Sequence, residues 1–138
     1  MSESAFNKKF REQMEKREMK IYRVETHSSC PGMSDNHYVL GPLGRSGWIE
    51  MKETAPSEIP HKIKFQPKQV PWLLDYTSRG GAAFVIVHVP RLKTVFALHG
   101  RDAQKAAEDF DSCPAQAFSL ESETVWTNLF NWIRMRTP

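Results

Sequence analysis

Cysteine is scarce in this chain: two of 138 residues, Cys30 and Cys113, far apart and outside any Cys-x-x-Cys spacing. That excludes a disulfide framework and a zinc-ribbon signature, and both thiols read as packed or idle groups. A zinc site built on His27 and Cys30, or a Cys30–His27 nucleophile, finds no further supporting group in the sequence. Long hydrophobic runs are missing too, none approaching the roughly 20 residues a membrane-spanning helix needs. The opening stretch MSESAFNKKFREQ has no apolar signal-peptide core, so no membrane association and a cytoplasmic location are expected. Internal repeats and low-complexity tracts are absent, which excludes solenoids and disordered linkers.

What is present is ordinary for a folded chain: 40% hydrophobic and 25% charged residues. The length fits one domain spanning residues 1–138. The net charge is +3, and its distribution says more than its size. Lys8, Lys9, Arg11, Lys16, Arg17, Lys20 and Arg23 crowd the first segment, with Glu12, Glu15 and Glu18 between them. Such a cluster suits contact with phosphates, and it equally suits a solvated helix face.

Phe6, Phe10 and Met14 recur every four residues, which predicts an amphipathic helix over 3–19, with Ser2 or Ser4 as its cap. A strand is expected at 21–25, then a Ser/Pro/Gly-rich turn. Residues 37–40 and 48–52 read as the two strands of a hairpin joined by the glycine-rich GPLGRSG. The stretch 53–64 has no period and reads as a loop. Pro67 and Pro71 are compatible with the first turn of a helix that Gly80-Gly81 ends. The run AAFVIVHV at 82–89 is apolar and β-branched, as in a strand buried on both faces. Further elements are a strand at 94–98, a short helix at 101–110 and a final helix after Ser122, with Trp126, Leu129, Phe130 and Ile133 on one stripe. This order predicts an α/β fold, a mixed central sheet flanked by helices. Trp126, Phe130 and Trp132 are expected as core or dimer contacts, and His37 and His88 as strand residues.

The chemistry concentrates in the hairpin. Side chains alternate along a strand, so Glu50 and Lys52 share a face, while Ile49 and Met51 share the other. With the hairpin centred between Leu43 and Gly44, Asp35 lies opposite Lys52 and His37 opposite Glu50. Two carboxylates suit Mg²⁺, which binds through one or two of them and retains several waters. A lysine beside them can offset charge developing on a phosphoryl group. A bare Glu-x-Lys arises on the order of once by chance in such a chain; the preceding Asp turn and the strand context give it weight.

GMSD (32–35), WIEMK (48–52) and FQPKQVPWLLDYTSRGGAAFVIVHV (65–89) together resemble the PD-(D/E)XK nuclease superfamily. The similarity is to its small branch of VRR-NUC domains, archaeal-type Holliday junction resolvases and short phage endonucleases, and it covers about residues 23–89. It implies a restriction-endonuclease-like α-β-β-β-α-β core over about 3–98 and a C-terminal helical extension over about 101–138. It implies Asp35 and Glu50 as Mg²⁺ ligands (Mn²⁺ substituting), the Met51 carbonyl as a further contact, Lys52 as the catalytic lysine and Gln69 as a residue facing the site. Glu3, in E-x-x-F-x-x-x-F, is the choice for a metal-binding glutamate on the first helix, with Glu12 and Glu15 competing. Ser34 departs from the pattern, standing where proline is usual.

The function expected is a Mg²⁺-dependent endonuclease acting on branched DNA, with Lys8, Arg11, Arg23 and Ser29 as DNA contacts. A resolvase that makes two symmetric cuts would be a homodimer. A bacteriophage or bacterial source fits the resemblance. The competing expectation is a non-catalytic DNA-binding or scaffold protein that retains the fold.

Overall fold

The computed structural model describes residues 4–24, 31–55 and 59–138. Helix α1 spans Ala5–Glu15, capped by Ser4, whose side chain accepts the Asn7 N–H at 3.1 Å. Strands β1 (Met19–Arg23), β2 (Asn36–Leu40) and β3 (Arg45–Glu53) follow, then α2 (Gln69–Ser78), β4 (Ala83–Val89) and β5 (Thr94–His99). The chain then forms α3 (Ala103–Glu108), β6 (Gln116–Ser119) and α4 (Val125–Arg136). The segment expected to be a helical extension thus also contributes a strand, β6, which pairs with β5.

Among the described residues the six strands make one sheet in sequence order. Neighbours run antiparallel except β3 and β4, which are parallel and joined by the α2 crossover. Helices cover both faces. Phe10 and Met14 of α1 and Val125, Leu129 and Ile133 of α4 pack with Ile49, Phe84 and Ile86 on one face. Val70 and Leu73 of α2 and Ala103 and Ala106 of α3 pack with Ala83, Val85 and Val87 on the other. β4 is therefore sealed on both sides, with every residue from Ala83 to Val87 fully buried. Trp126, Phe130 and Trp132 pack against the first of these cores, as expected.

The hairpin register differs from the expectation. The chain turns through Gly41–Gly44, with Leu40 facing Arg45, Asn36 facing Ile49 and His37 facing Trp48. The turn closes over four residues, because Arg45 and Ser46 belong to β3 rather than to the loop. Continued by one residue, this register sets Asp35 opposite Glu50, not opposite Lys52. The displacement is two residues, which preserves the face of every side chain.

Candidate active site

Glu50 and Lys52 lie in β3 opposite Val85 and Val87 of β4, so both point to the α2 face of the sheet. Asp35 ends the turn that leads into β2. Its carbonyl accepts the Val24 N–H at 2.6 Å, which extends the β1–β2 pairing by a step. Its own backbone N–H donates to the Glu50 carboxylate. The turn is held against α2 by close backbone contact at Gly32. With φ +89° it adopts the left-handed region, and a Cβ there would sit 2.2 Å from the Lys68 carbonyl oxygen.

Glu50 is 3% exposed, and its Oε1 is buried with no hydrogen-bond partner among the described residues. Desolvation pushes its pKa up to about 7, with the Lys52 charge opposing and the Asp35 charge adding to the rise. Lys52 Nζ lies 4.0 Å from that oxygen, an ion pair without a hydrogen bond. The ammonium donates instead to Gln69 Oε1 at 2.8 Å and to the Lys64 carbonyl at 2.9 Å, and it sits 5.0 Å from the centre of the Phe65 ring. Burial lowers the Lys52 pKa, while Glu50 and Asp35 act to raise it. Gln69 opens α2, and its Oε1 also accepts the Gln66 N–H at 2.7 Å.

The connection that supplies Lys64 is itself tethered. His61 donates its backbone N–H to Asp111 Oδ2 at 3.0 Å, and its Nδ1 lies 2.9 Å from Asp111 Oδ1. The hydrogen bond from His61 holds the Asp111 carboxyl below its usual range. Nothing in the local sequence announces this pair, whose members are 50 residues apart. The Lys64 carbonyl was equally hidden, since any residue supplies one.

On the α1 face a small polar slot of about 70 Å³ opens beside Asp35, lined by Asn7, Phe10, Arg11, Arg23, Asn36 and Met51 among others. Of the expected DNA contacts, Arg11 and Arg23 reach this slot. Lys8 is exposed on α1 and does not line it. Ser29 and Glu3, with His27 and Cys30, lie outside the described residues. Glu12 and Glu15 do not line the slot either. Glu12 is exposed, and Glu15 lies 3.1 Å from Lys20 Nζ and 3.8 Å from Arg11. The polar residues α1 presents beside Asp35 are Asn7 and Arg11, at helical i, i+4 spacing. His37 and His88 lie in β2 and β4 as expected. Cys113 is half-buried, and burial pushes its thiol pKa up, which argues against a reactive group.

Among the described residues no cluster of three or more His, Cys, Asp or Glu side chains is placed to hold a metal. The pair Asp35 and Glu50 nevertheless fits Mg²⁺. That ion needs only one or two carboxylates, and the unsatisfied, buried Glu50 Oε1 has the hard-oxygen chemistry it takes.

No family model matches the chain, and no curated protein does. Solved structures do. The 1.6 Å structure of Archaeoglobus fulgidus Hjc, a Holliday junction resolvase from an archaeal hyperthermophile, matches with a TM-score of 0.54 and 15% sequence identity. The match covers 93% of this chain and 97% of Hjc. The chain therefore shares the mixed-sheet α/β fold of an archaeal Holliday junction resolvase along nearly its whole length.

Proposed function

We propose that this chain is a Mg²⁺-dependent DNA endonuclease of the PD-(D/E)XK type, cutting phosphodiester bonds in branched DNA. The observation that carries the reading is the convergence of Asp35, Glu50 and Lys52. Glu50 is buried with an oxygen that no group among the described residues satisfies, and Lys52 is fixed beside it. The fold shared with Hjc supports a nuclease, and its name as a Holliday junction resolvase supports four-way junctions as the first substrate to try.

Asp35 and Glu50 would hold the Mg²⁺, with the Met51 carbonyl as a further contact. When bound, the ion polarises a phosphoryl oxygen and acidifies a coordinated water. Lys52 offers fixed positive charge where negative charge develops, and Gln69 and the Lys64 carbonyl hold it there without neutralising it. Gln69 is thus a positioning residue. Arg11 and Arg23, in the slot beside Asp35, orient the backbone of the same strand. Two symmetric cuts in a junction need two such sites, so the active species is a homodimer. The single domain and the affinity with the small VRR-NUC and phage branch belong to the same proposal.

The test is cleavage of end-labelled four-way junctions, flaps and linear duplex, with Mg²⁺ and with EDTA, by the wild type and by Asp35→Ala. Cutting that needs Mg²⁺, favours a branched substrate and disappears in the variant supports the proposal. Binding without cleavage, unchanged by the substitution, would make the chain a non-catalytic DNA-binding protein.

A further inference from the structure

A second polar pocket, of about 250 Å³, lies apart from these carboxylates. His99, Arg101, Asp102, Gln116, Trp132 and Arg136 supply its polar and aromatic lining. His99 ends β5 opposite Phe84, whose ring packs in the core beneath α4. The pocket is therefore on the α4 face of the sheet, whereas Glu50 points to the α2 face two strands away.

We propose that this pocket binds a phosphate group. Its donors come from separate elements and are held in place by contacts that leave them available. The Arg136 guanidinium sits 4.4 Å from the centre of the Trp132 ring, and its Nη1 donates to the Trp132 carbonyl at 3.1 Å. His99 Nδ1 accepts the Arg101 backbone N–H at 3.1 Å, so the neutral ring carries its proton on Nε2 and is a donor there. Burial, then the Arg101 charge, lowers the His99 pKa, which favours that neutral form.

The Arg101 guanidinium has no hydrogen-bond or ion-pair partner among the described residues, although Asp102 is next to it in the chain. Among the described residues Asp102 is the one carboxylate of the lining, and it pairs with neither arginine. Two arginines lining one pocket suit an oxyanion with several acceptor oxygens. Complementing the α4 dipole explains a basic residue at Arg136, in the last turn of that helix. It does not explain Arg101, which follows a different element, or the orientation of His99.

The phosphate can belong to a free nucleotide or to a DNA backbone, and one experiment separates these. The intact ¹⁵N-labelled chain in EDTA is titrated with inorganic phosphate, with a deoxynucleoside 5′-monophosphate and with a short blunt duplex. Sodium chloride at matched ionic strength is the control. The signals followed are the Arg101 and Arg136 Nε–H, the His99 ring and the Trp132 indole N–H. Saturable shifts at these groups, weakened about tenfold or more in the double variant R101Q/R136Q, are expected. Saturation by the mononucleotide identifies a small-molecule site, and saturation by the duplex alone identifies a backbone contact. Shifts that chloride reproduces, or that survive in R101Q/R136Q, overturn the proposal. Asp35→Ala leaves this pocket intact, so its response stands or falls separately from the nuclease reading.

Discussion

Lys52 Nζ and Gln69 Oε1 are 2.8 Å apart, which ties the end of β3 to the first residue of α2. Gln69 accepts but carries no charge, so it aims the ammonium without quenching it. Replacing Gln69 with Leu should lower cleavage about 10- to 100-fold, as loss of an outer-shell partner does, and leave DNA affinity unchanged. Gln69→Glu should raise the Lys52 pKa and move the alkaline limb of the pH–rate profile upward. Matching profiles for Gln69→Glu and wild type would remove Gln69 from the positioning role.

Glu50 links stability to pH with a sign opposite to that of a salt-bridged carboxylate. Its folded pKa of about 7 lies above the ordinary 4.5, so the folded state holds the proton more tightly than the unfolded chain. The stability this contributes is full below the unfolded value and is lost as pH rises to about 7. The loss is on the order of 3 kcal/mol. Denaturation in EDTA at pH 5 and pH 8 should show wild type losing stability relative to Glu50→Gln. Parallel behaviour of the two proteins would contradict the burial of an ionisable carboxyl.

Metal binding should follow the same proton. A Mg²⁺ ligand must be ionised, so calorimetric affinity for Mg²⁺ should rise as pH increases through about 7 and then level. Asp35→Ala and Glu50→Gln should each abolish the heat of binding. Retained affinity in both variants would move the metal elsewhere.

Gly32 sets the distance between the Asp35 turn and α2. An added methyl meets the Lys68 carbonyl at 2.2 Å, and φ is +89°. Gly32→Ala should destabilise the protein by about 1–3 kcal/mol and reduce cleavage more than binding. A wild-type unfolding midpoint in this variant would show that the contact relaxes freely.

Arg11 and Arg23 line the slot beside Asp35. Each substitution to Gln should weaken binding to all DNA sequences alike. Each should also reduce the slope of log affinity against log salt by about 0.9 if one phosphate contact is lost. Lys8→Gln, outside the slot, should have the smaller effect, and equal effects of all three would point to diffuse surface attraction.

Most elements were legible because burial patterns leave a period in the chain. The Phe6, Phe10, Met14 stripe marked α1, and the β-branched run at 83–89 marked the doubly buried β4. β6 escaped because Gln116–Ser119 is a short edge strand with no buried residue and no apolar alternation. The hairpin register escaped because Gly-rich turn sequences are compatible with more than one closure, and only the pairing of Leu40 with Arg45 selects one. Asp35 and Glu50 face each other all the same, since a shift of two residues leaves the face of each side chain unchanged.

Local pattern alone places Glu50 and Lys52 on one side of their strand, because alternation in a strand has a period of two. Their environment comes from packing between elements. Sealing β3 between β2, β4 and α2 removes water from Glu50 and raises its pKa. The tethered 59–66 connection and Gln69 then fix Lys52. Desolvation and backbone hydrogen bonds depend on groups distant in sequence, and no local pattern encodes them.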